Sequence, residues 1–325
     1  ADRGHAEAAV VLGLVYGIRY MGNLITFEQF VSEGCKRLEQ ALHNGSKVLT
    51  AEELSKKYLM SVRKRLLEHP GSYDNIRILL ERAHQLDVNN QDVTYILASL
   101  YRQKLFSDIP LSKSIQMGID LLEGLADKGH EIAALEVGLG YLALKFMQDP
   151  VRSYTKALHY LFLAASKGNR RALLVLVCSL GRESNKYTKL VARQVLKYID
   201  EQVTKPDISR ELKNYLLGLK AVLNQQWDVA SSYFDQLASD SHPDVMVEVA
   251  MLYFHIKNDL QKAVSLTVKA LDSAGKQKLD LFQINIGQLL QSFLADLELR
   301  ACSDDMIKKL VACIRMKLKQ YDYSL

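Results

Sequence analysis

The stretch ADKGHEIAALEVGLGYLALKFMQDPVRSYTKALHYLFLAASKG, residues 126–168, contains the pattern that determines the fold. Two similar motifs bound it, Ala126-Asp127-Lys128-Gly129-His130 and Ala165-Ser166-Lys167-Gly168-Asn169, and their glycines lie 39 residues apart. A period of this length accommodates two helices and two turns. The first motif recurs almost unchanged as Ala1-Asp2-Arg3-Gly4-His5, so we predict a chain of repeats.

A small residue followed by tyrosine three positions later marks the first helix of a repeat. The pairs are Gly13 with Tyr16, Ala98 with Tyr101, Gly138 with Tyr141, and Ala250 with Tyr253. This spacing keeps both residues on one side of a helix, where the small residue allows a neighbouring helix to approach. The second helix carries a stripe of three small or apolar residues, in which the second follows the first by three positions and the third follows the second by four. These stripes are Cys35/Leu38/Leu42, Ile76/Leu79/Ala83, Gly118/Leu121/Leu125, Ala157/Tyr160/Ala164, Ala230/Tyr233/Leu237 and Ala263/Leu266/Ala270.

The composition also favours helices. Only 5 Pro and 17 Gly interrupt the 325 residues, which is too few for the frequent turns of an all-β fold. Gly45, Gly129 and Gly168 stand where we expect helices to end. No window approaches 18 uninterrupted apolar residues, so we predict no membrane span.

The number and spacing of the cysteines indicate the cellular compartment in which the protein folds. The 4 cysteines are widely scattered and lack zinc spacing, which indicates buried thiols rather than disulfides or a metal site. Buried thiols favour a reducing, cytoplasmic compartment, whereas a removed leader would indicate the periplasm.

We therefore predict an all-α fold, an α-solenoid of antiparallel helix pairs in which each unit covers the apolar stripe of the next. The array is expected to span residues 1–302, and residues 303–325 are expected to form a capping helix. In that helix a single apolar stripe lies opposite basic residues. The stripe consists of Met306, Ile307, Leu310, Val311, Ile314 and Leu318. Because Ala1–His5 duplicates a motif that elsewhere follows a complete helix, we expect the parent protein to continue N-terminally by at least one helix.

These motifs resemble those of the Sel-one-like repeat proteins, relatives of the tetratricopeptide repeats. Residues 1–45 and 131–168 match that family best, through Leu-Gly-x-x-Tyr and Lys-Ala-x-x-Tyr patterns. Units within about 210–275 have shorter spacing and resemble plain tetratricopeptide repeats. The resemblance implies a right-handed superhelix of about seven to eight repeats. It also implies a non-enzymatic scaffold or adaptor, such as those of bacterial envelope assembly, exopolysaccharide export or host interaction.

If the family geometry holds, the first helices line a concave groove that binds a protein or peptide. The residues three before, one after and four after each small position then face inward, and large side chains there are typical of a peptide-binding groove. The candidates are Tyr95, Arg102, Leu139, Leu142, Met251 and Phe254. The competing interpretation is that adjoining units bury these side chains.

No motif in the chain indicates an enzyme. A phosphate-binding glycine loop, HExxH and GxSxG are all absent from the sequence, and we predict no catalytic residue, cofactor or metal site. His5, His130 and His242 occupy equivalent turn positions, which indicates a role in the turn. The alternative of an accessory superhelical domain of an enzyme stays open.

Basic side chains are concentrated in one segment. Residues 145–220 carry 15 Lys and Arg but 6 Asp and Glu. Such a stripe is either a solvated face or a surface for an acidic protein partner or nucleic acid. Helical-repeat RNA binding is the alternative function, although Leu139, Leu142 and Met251 occupy positions where base-reading repeats need polar or aromatic residues. The candidate stripe is Arg152, Lys156, Arg170, Arg171, Lys189 and Arg193.

Overall fold

The structure is a computed structural model in which every regular element of the described residues is a helix. It describes residues 3–46, 49–68, 73–103, 106–143, 149–182, 186–240, 243–276, 290–291, 294–295, 297–298 and 305–320. Throughout those ranges no strand occurs, so the all-α prediction is confirmed there. The chain divides into two compact units, Ala1–Ser153 and Tyr154–Leu325, and each is described by itself below.

The first unit consists of seven helices and the start of an eighth among its described residues. They are α1 (Arg3–Met21), α2 (residues 27–43, of which Phe30–Cys35 is π-helical), α3 (Ala51–Glu68), α4 (Tyr73–Leu86), α5 (Gln91–Gln103), α6 (Leu111–Asp127), α7 (Glu131–Leu142) and α8 (Pro150–Ser166), which continues into the second unit. Helices that follow one another pack together, as α5 with α6 and α6 with α7.

The second unit continues the same arrangement. Its elements are α9 (Arg170–Arg182), α10 (Lys186–Val203), α11 (Arg210–Leu223), α12 (Trp227–Asp240), α13 (Pro243–Leu252, continued by π-helical Tyr253–Lys257), α14 (Leu260–Lys276) and α15 (Asp305–Gln320). Here α9 contacts both α11 and α13, although these helices are far apart in sequence.

Small residues determine how closely the paired helices approach. A Cβ placed on Gly118 of α6 would lie 2.7 Å from the Ala98 carbonyl oxygen of α5. One turn away, the Ser114 hydroxyl donates to the Tyr101 carbonyl at 2.7 Å. Between these two contacts the residue numbers rise on α5, from 98 to 101, and fall on α6, from 118 to 114, so the two helices are antiparallel. Gly218 of α11 likewise lies against the Phe234 ring of α12.

The predicted stripes of the second helices are buried. Cys35, Ile76, Leu79, Ala83, Ala157 and Ala263 have no exposed surface, and Leu38, Leu125, Leu237, Leu266 and Ala270 have almost none. Burying an apolar side chain of this size contributes about 1.5 to 3 kcal/mol. The sequence prediction of these stripes is therefore confirmed at these positions, whereas Leu42, Leu121 and Tyr233 of the predicted stripes are only partly buried.

Four buried tyrosines of first helices, three of them from the predicted pairs and the fourth Tyr58 of α3, also bond to the helix that precedes them, which the sequence analysis did not anticipate. In each case the ring is buried while the hydroxyl reaches a polar side chain of the preceding repeat, so one residue joins two repeats. The pairs are Tyr58 with Glu39, Tyr101 with Glu81, Tyr141 with Glu123, and Tyr253 with Ser231. An acid 18 to 20 residues before the tyrosine is the sequence signal in the first three pairs.

The glycine turns confirm the predicted helix ends. Gly129 has φ +85°, which a side chain would disfavour, and the His130 amide behind it donates to the Leu125 carbonyl at 3.0 Å. The His130 ring then accepts from the Ala133 amide at 3.1 Å and so begins α7. The predicted turn role of histidine is confirmed at this position. The His5 side chain and His242 lie outside the described part of the chain.

The last helix, α15, packs against α14. Four of its predicted stripe residues are buried, namely Ile307, Val311, Ile314 and Leu318, while Met306 and Leu310 lie outside the described side chains. Lys317 pairs with Asp272 of α14 at 2.9 Å. The prediction of one array over residues 1–302 with a cap at 303–325 stays a prediction.

Replacing Gly118 by alanine is expected to destabilise the chain by about 1 to 3 kcal/mol, because the added methyl meets the Ala98 carbonyl, which cannot move without shifting α5. The same change at Gly124, on the same helix but with nothing within 4 Å, is expected to stabilise by up to about 1 kcal/mol through helix propensity. Urea unfolding of both variants measures the difference. Equal effects at the two glycines would contradict the close helix contact.

Candidate functional site

The best-formed polar cluster on a predicted inner surface joins α5 and α7. Tyr95 and Arg102 of α5 both bond to Glu136 of α7, the tyrosine through its hydroxyl and Arg102 through a guanidinium nitrogen 2.6 Å from the carboxylate. The Tyr95 ring stacks on His130 with centroids 5.4 Å apart and planes at 15°. Every member of this α5–α7 cluster is half-buried, so its geometry is set by several contacts while one side stays open.

The electrostatics of the cluster favour its bonded form. Burial raises the pKa of the Tyr95 hydroxyl, and its bond to Glu136 raises it further. The hydroxyl therefore remains protonated and donates to the carboxylate at any physiological pH. Arg102 compensates the carboxylate charge with its side chain 22% exposed. The cluster is thus pre-organised and electrically balanced, as expected of a rigid rim rather than of a reactive acid or base.

Two apolar residues continue this surface along α7. Leu139 and Leu142 lie one and two turns beyond Glu136, and both are partly exposed. The structure therefore places four predicted groove residues, Tyr95, Arg102, Leu139 and Leu142, on two helices of the first unit that the Glu136 hydrogen bonds join.

The other two predicted groove residues are not part of an open surface. Met251 is 8% exposed and Phe254 is 0% exposed. The reason is tertiary, because both α9 and α14 pack on α13 and on the adjoining π-helical segment within the second unit. For Met251 and Phe254 we correct the expectation of an open groove, because the competing interpretation, burial by neighbouring helices, describes what the structure shows.

The basic residues predicted as one stripe occupy different environments. Arg152 is exposed and belongs to the first unit, whereas the other five belong to the second. Among these, Lys156 and Arg171 are half-buried, and burial lowers the pKa of Arg171. Lys189 and Arg193 are exposed and lie one turn apart on α10.

Arg170 has a structural role that corrects its assignment to the candidate basic stripe. Its guanidinium pairs with Asp244 and lies 3.1 Å from Glu248, both on α13. It also lies 5.7 Å from the ring centre of Tyr215, which is buried in α11. Burial raises the pKa of the Glu248 carboxyl, and Arg170 lowers it in compensation. Arg170 therefore holds α9, α11 and α13 together.

Glu136 and Glu248 are the residues that sequence reasoning missed on these surfaces. Both stand two positions before the small residue of a first helix, Gly138 and Ala250. Both accept from an arginine of another first helix, Arg102 and Arg170. An acid recurring at one repeat position is the signal that identifies them.

Comparison with protein-family models gives no match, and comparison with curated proteins gives none either. Among solved structures, a Sel1 repeat protein from Oxalobacter formigenes is similar. It shares 17% sequence identity with this chain, with a TM-score of 0.46, over 96% of this chain and 87% of that one. A similarity this low carries no inference about function. The motif resemblance noted above therefore rests on the residues themselves.

Among the described residues no helix is long and apolar enough to cross a membrane. In the same residues no group of three or more His, Cys, Asp or Glu side chains is arranged to hold a metal ion.

Proposed function

We propose that this chain is a non-enzymatic interaction scaffold that binds a protein or peptide on the surface shared by α5 and α7. The observation that carries the proposal is the juxtaposition of two partly exposed leucines, Leu139 and Leu142, with the fixed polar cluster of Tyr95, Arg102 and Glu136. Apolar anchors beside a pre-organised polar rim are typical of surfaces that recognise a helix or an extended segment.

The ligand that fits this surface is an amphipathic segment. Two apolar side chains separated by one helical turn would contact Leu139 and Leu142. Because Glu136 already accepts hydrogen bonds from Tyr95 and Arg102, a basic residue of the ligand would gain little by pairing with it. The formal net charge of the whole chain, +5, favours an acidic segment overall.

The surface of α10 mixes basic and acidic side chains, and this mixture favours a protein partner over a nucleic acid. Lys189 and Arg193 are exposed, but Asp200 and Glu201 line the same groove as Arg193 and Lys197. Acids interleaved with bases repel a continuous phosphate backbone, whereas a protein segment can match mixed charge. The experiment must therefore distinguish peptide binding from RNA binding. The cellular processes that the motif resemblance implies stay predictions.

The test uses a displayed library of random 16-residue peptides selected on the purified chain. We expect enrichment of peptides with apolar residues one turn apart and an acidic excess. For a selected peptide, Leu139→Asp or Leu142→Asp is expected to weaken binding at least tenfold, mainly through faster dissociation, because a charge would be buried against an apolar anchor. Thermal unfolding of both variants verifies that the fold is retained.

Val88→Asp serves as the matched control, because Val88 is 54% exposed in the turn between α4 and α5 and is not one of the residues of the proposed surface. Peptide binding to this variant should equal that of the parent. Selection that yields no specific peptide, or binding that the leucine variants leave intact, would refute the proposal. Tight binding of a labelled single-stranded RNA, lost on Lys189→Glu with Arg193→Glu, would favour the alternative function.

A further inference from the structure

The first helix exposes a continuous apolar face. Val11, Leu12, Val15 and Ile18 of α1 are 59%, 50%, 44% and 72% exposed. Their spacing of three and four residues places them along one side of the helix. Val10 and Gly13 lie on the opposite side of the helix and are buried, so α1 is apolar on two sides. Such a helix is typically covered by protein on both sides.

The other repeats show what normally happens at these positions. We compare the residues five before, one before and two after the small residue of each first helix. In α5 they are Val93, Leu97 and Leu100; in α7, Ala133, Val137 and Gly140; in α13, Val245, Val249 and Leu252. All nine are buried. The equivalent residues of α1 are Ala8, Leu12 and Val15, and all three are exposed.

The helix that covers α7 specifies the missing occupant. This is α6, which packs against α7 and accepts a hydrogen bond from Tyr141 through Glu123. It ends in the motif Ala126–His130, which Ala1–His5 repeats at the start of α1. In the described part of the chain the hydroxyl of Tyr16, the counterpart of Tyr141, has no hydrogen-bond partner.

We propose that this face of α1 binds a partner helix of the α6 type, and within the described residues no such helix covers it. The partner is an amphipathic helix with an apolar stripe against Leu12 and Val15 and a carboxylate that accepts from Tyr16. Its binding would bury an apolar surface that single helices of soluble proteins seldom leave open. This surface is separate from the one that α5 and α7 share, so the inference does not depend on the proposed function.

The probe is a capped synthetic peptide with the sequence of residues 111–128, which contains Glu123. We expect saturable binding to the whole chain and slower hydrogen exchange of the amides of α1. Because an isolated helix of this length is only partly formed in water, binding in trans is expected to be weak. A second form therefore fuses residues 111–125 directly before Ala1, which recreates the α6 turn, and is expected to raise the unfolding temperature by several degrees.

Three variants locate the contact. Leu12→Asp with Val15→Asp is expected to weaken peptide binding at least tenfold and to abolish the gain of the fusion. Tyr16→Phe in the chain and Glu123→Gln in the peptide should each weaken binding several-fold, and the two together no more than either alone. Met60→Asp, at a residue of α3 that is 59% exposed, should change nothing.

Two results would overturn the proposal. Absence of binding together with an unchanged unfolding temperature of the fusion would show that the face takes no α6-type helix. Sedimentation that reveals a dimer of the unmodified chain, dissociated by Leu12→Asp with Val15→Asp, would assign the face to a second copy instead. Neither result affects peptide binding at Leu139 and Leu142, which tests the proposed function separately.

Discussion

Arg170→Leu is expected to destabilise the second unit by about 3 kcal/mol at pH 7. The change leaves the Glu248 carboxylate, which is 3% exposed, without the guanidinium 3.1 Å away. Removing one partner of a buried pair costs about 3 to 5 kcal/mol, and we expect the lower end because the Arg170 side chain is itself 34% exposed. Urea unfolding at constant protein concentration measures the loss.

The pH dependence of this variant has a defined sign. Without Arg170, the pKa of the buried Glu248 carboxyl rises further above that of the unfolded chain. The folded state then binds more protons than the unfolded state, so the stability of the variant falls as pH rises through the folded pKa. The difference in unfolding free energy between Arg170→Leu and the parent should therefore shrink as the pH is lowered from 7 to 5.

The double variant Arg170→Leu with Glu248→Leu is the control. Removing both charges exchanges a buried pair for apolar packing, which is often neutral, and should recover more than half of the lost stability. If Arg170→Leu unfolds like the parent, Arg170 is a solvated residue after all and the original stripe assignment holds for it.

Phe254→Ala is expected to cost about 3 to 5 kcal/mol, as is usual when a fully buried aromatic ring is truncated. Phe254 lies in the π-helical segment Tyr253–Lys257, which α9 contacts. Thermal or urea unfolding distinguishes this role from that of a groove residue, whose truncation would leave stability nearly unchanged.

Leu212→Ala provides the comparison for Phe254. Leu212 is a large apolar residue of the same unit, but it is 41% exposed on α11. Its truncation should change the unfolding free energy by no more than about 0.5 kcal/mol. Similar losses for the two variants would mean that Phe254 is not packed as the structure shows.

Local sequence was sufficient to predict several of the helix pairs and the helix ends at Gly45, Gly129 and Gly168, although the predicted motifs did not mark α3, α9 or α10. Small residues and tyrosines at fixed spacing, glycines at turns, and apolar stripes on second helices predicted the paired helices and the packed face of α15. These features depend on a few neighbouring residues and on one helix meeting the next in the chain. Their physical basis is helical periodicity and the positive φ that glycine tolerates at positions such as Gly129.

Which faces stay open was decided by tertiary structure alone. Phe254 and Leu142 occupy the same repeat position, four residues after the small residue. Phe254 is nevertheless buried, in a segment that both α9 and α14 contact, whereas Leu142 is partly exposed. Arg170 belongs to a basic segment but is compensated by Glu248, 78 residues away. Burial and charge compensation depend on which helices pack together across such separations in sequence. The spacing of residues within a single repeat does not specify that packing.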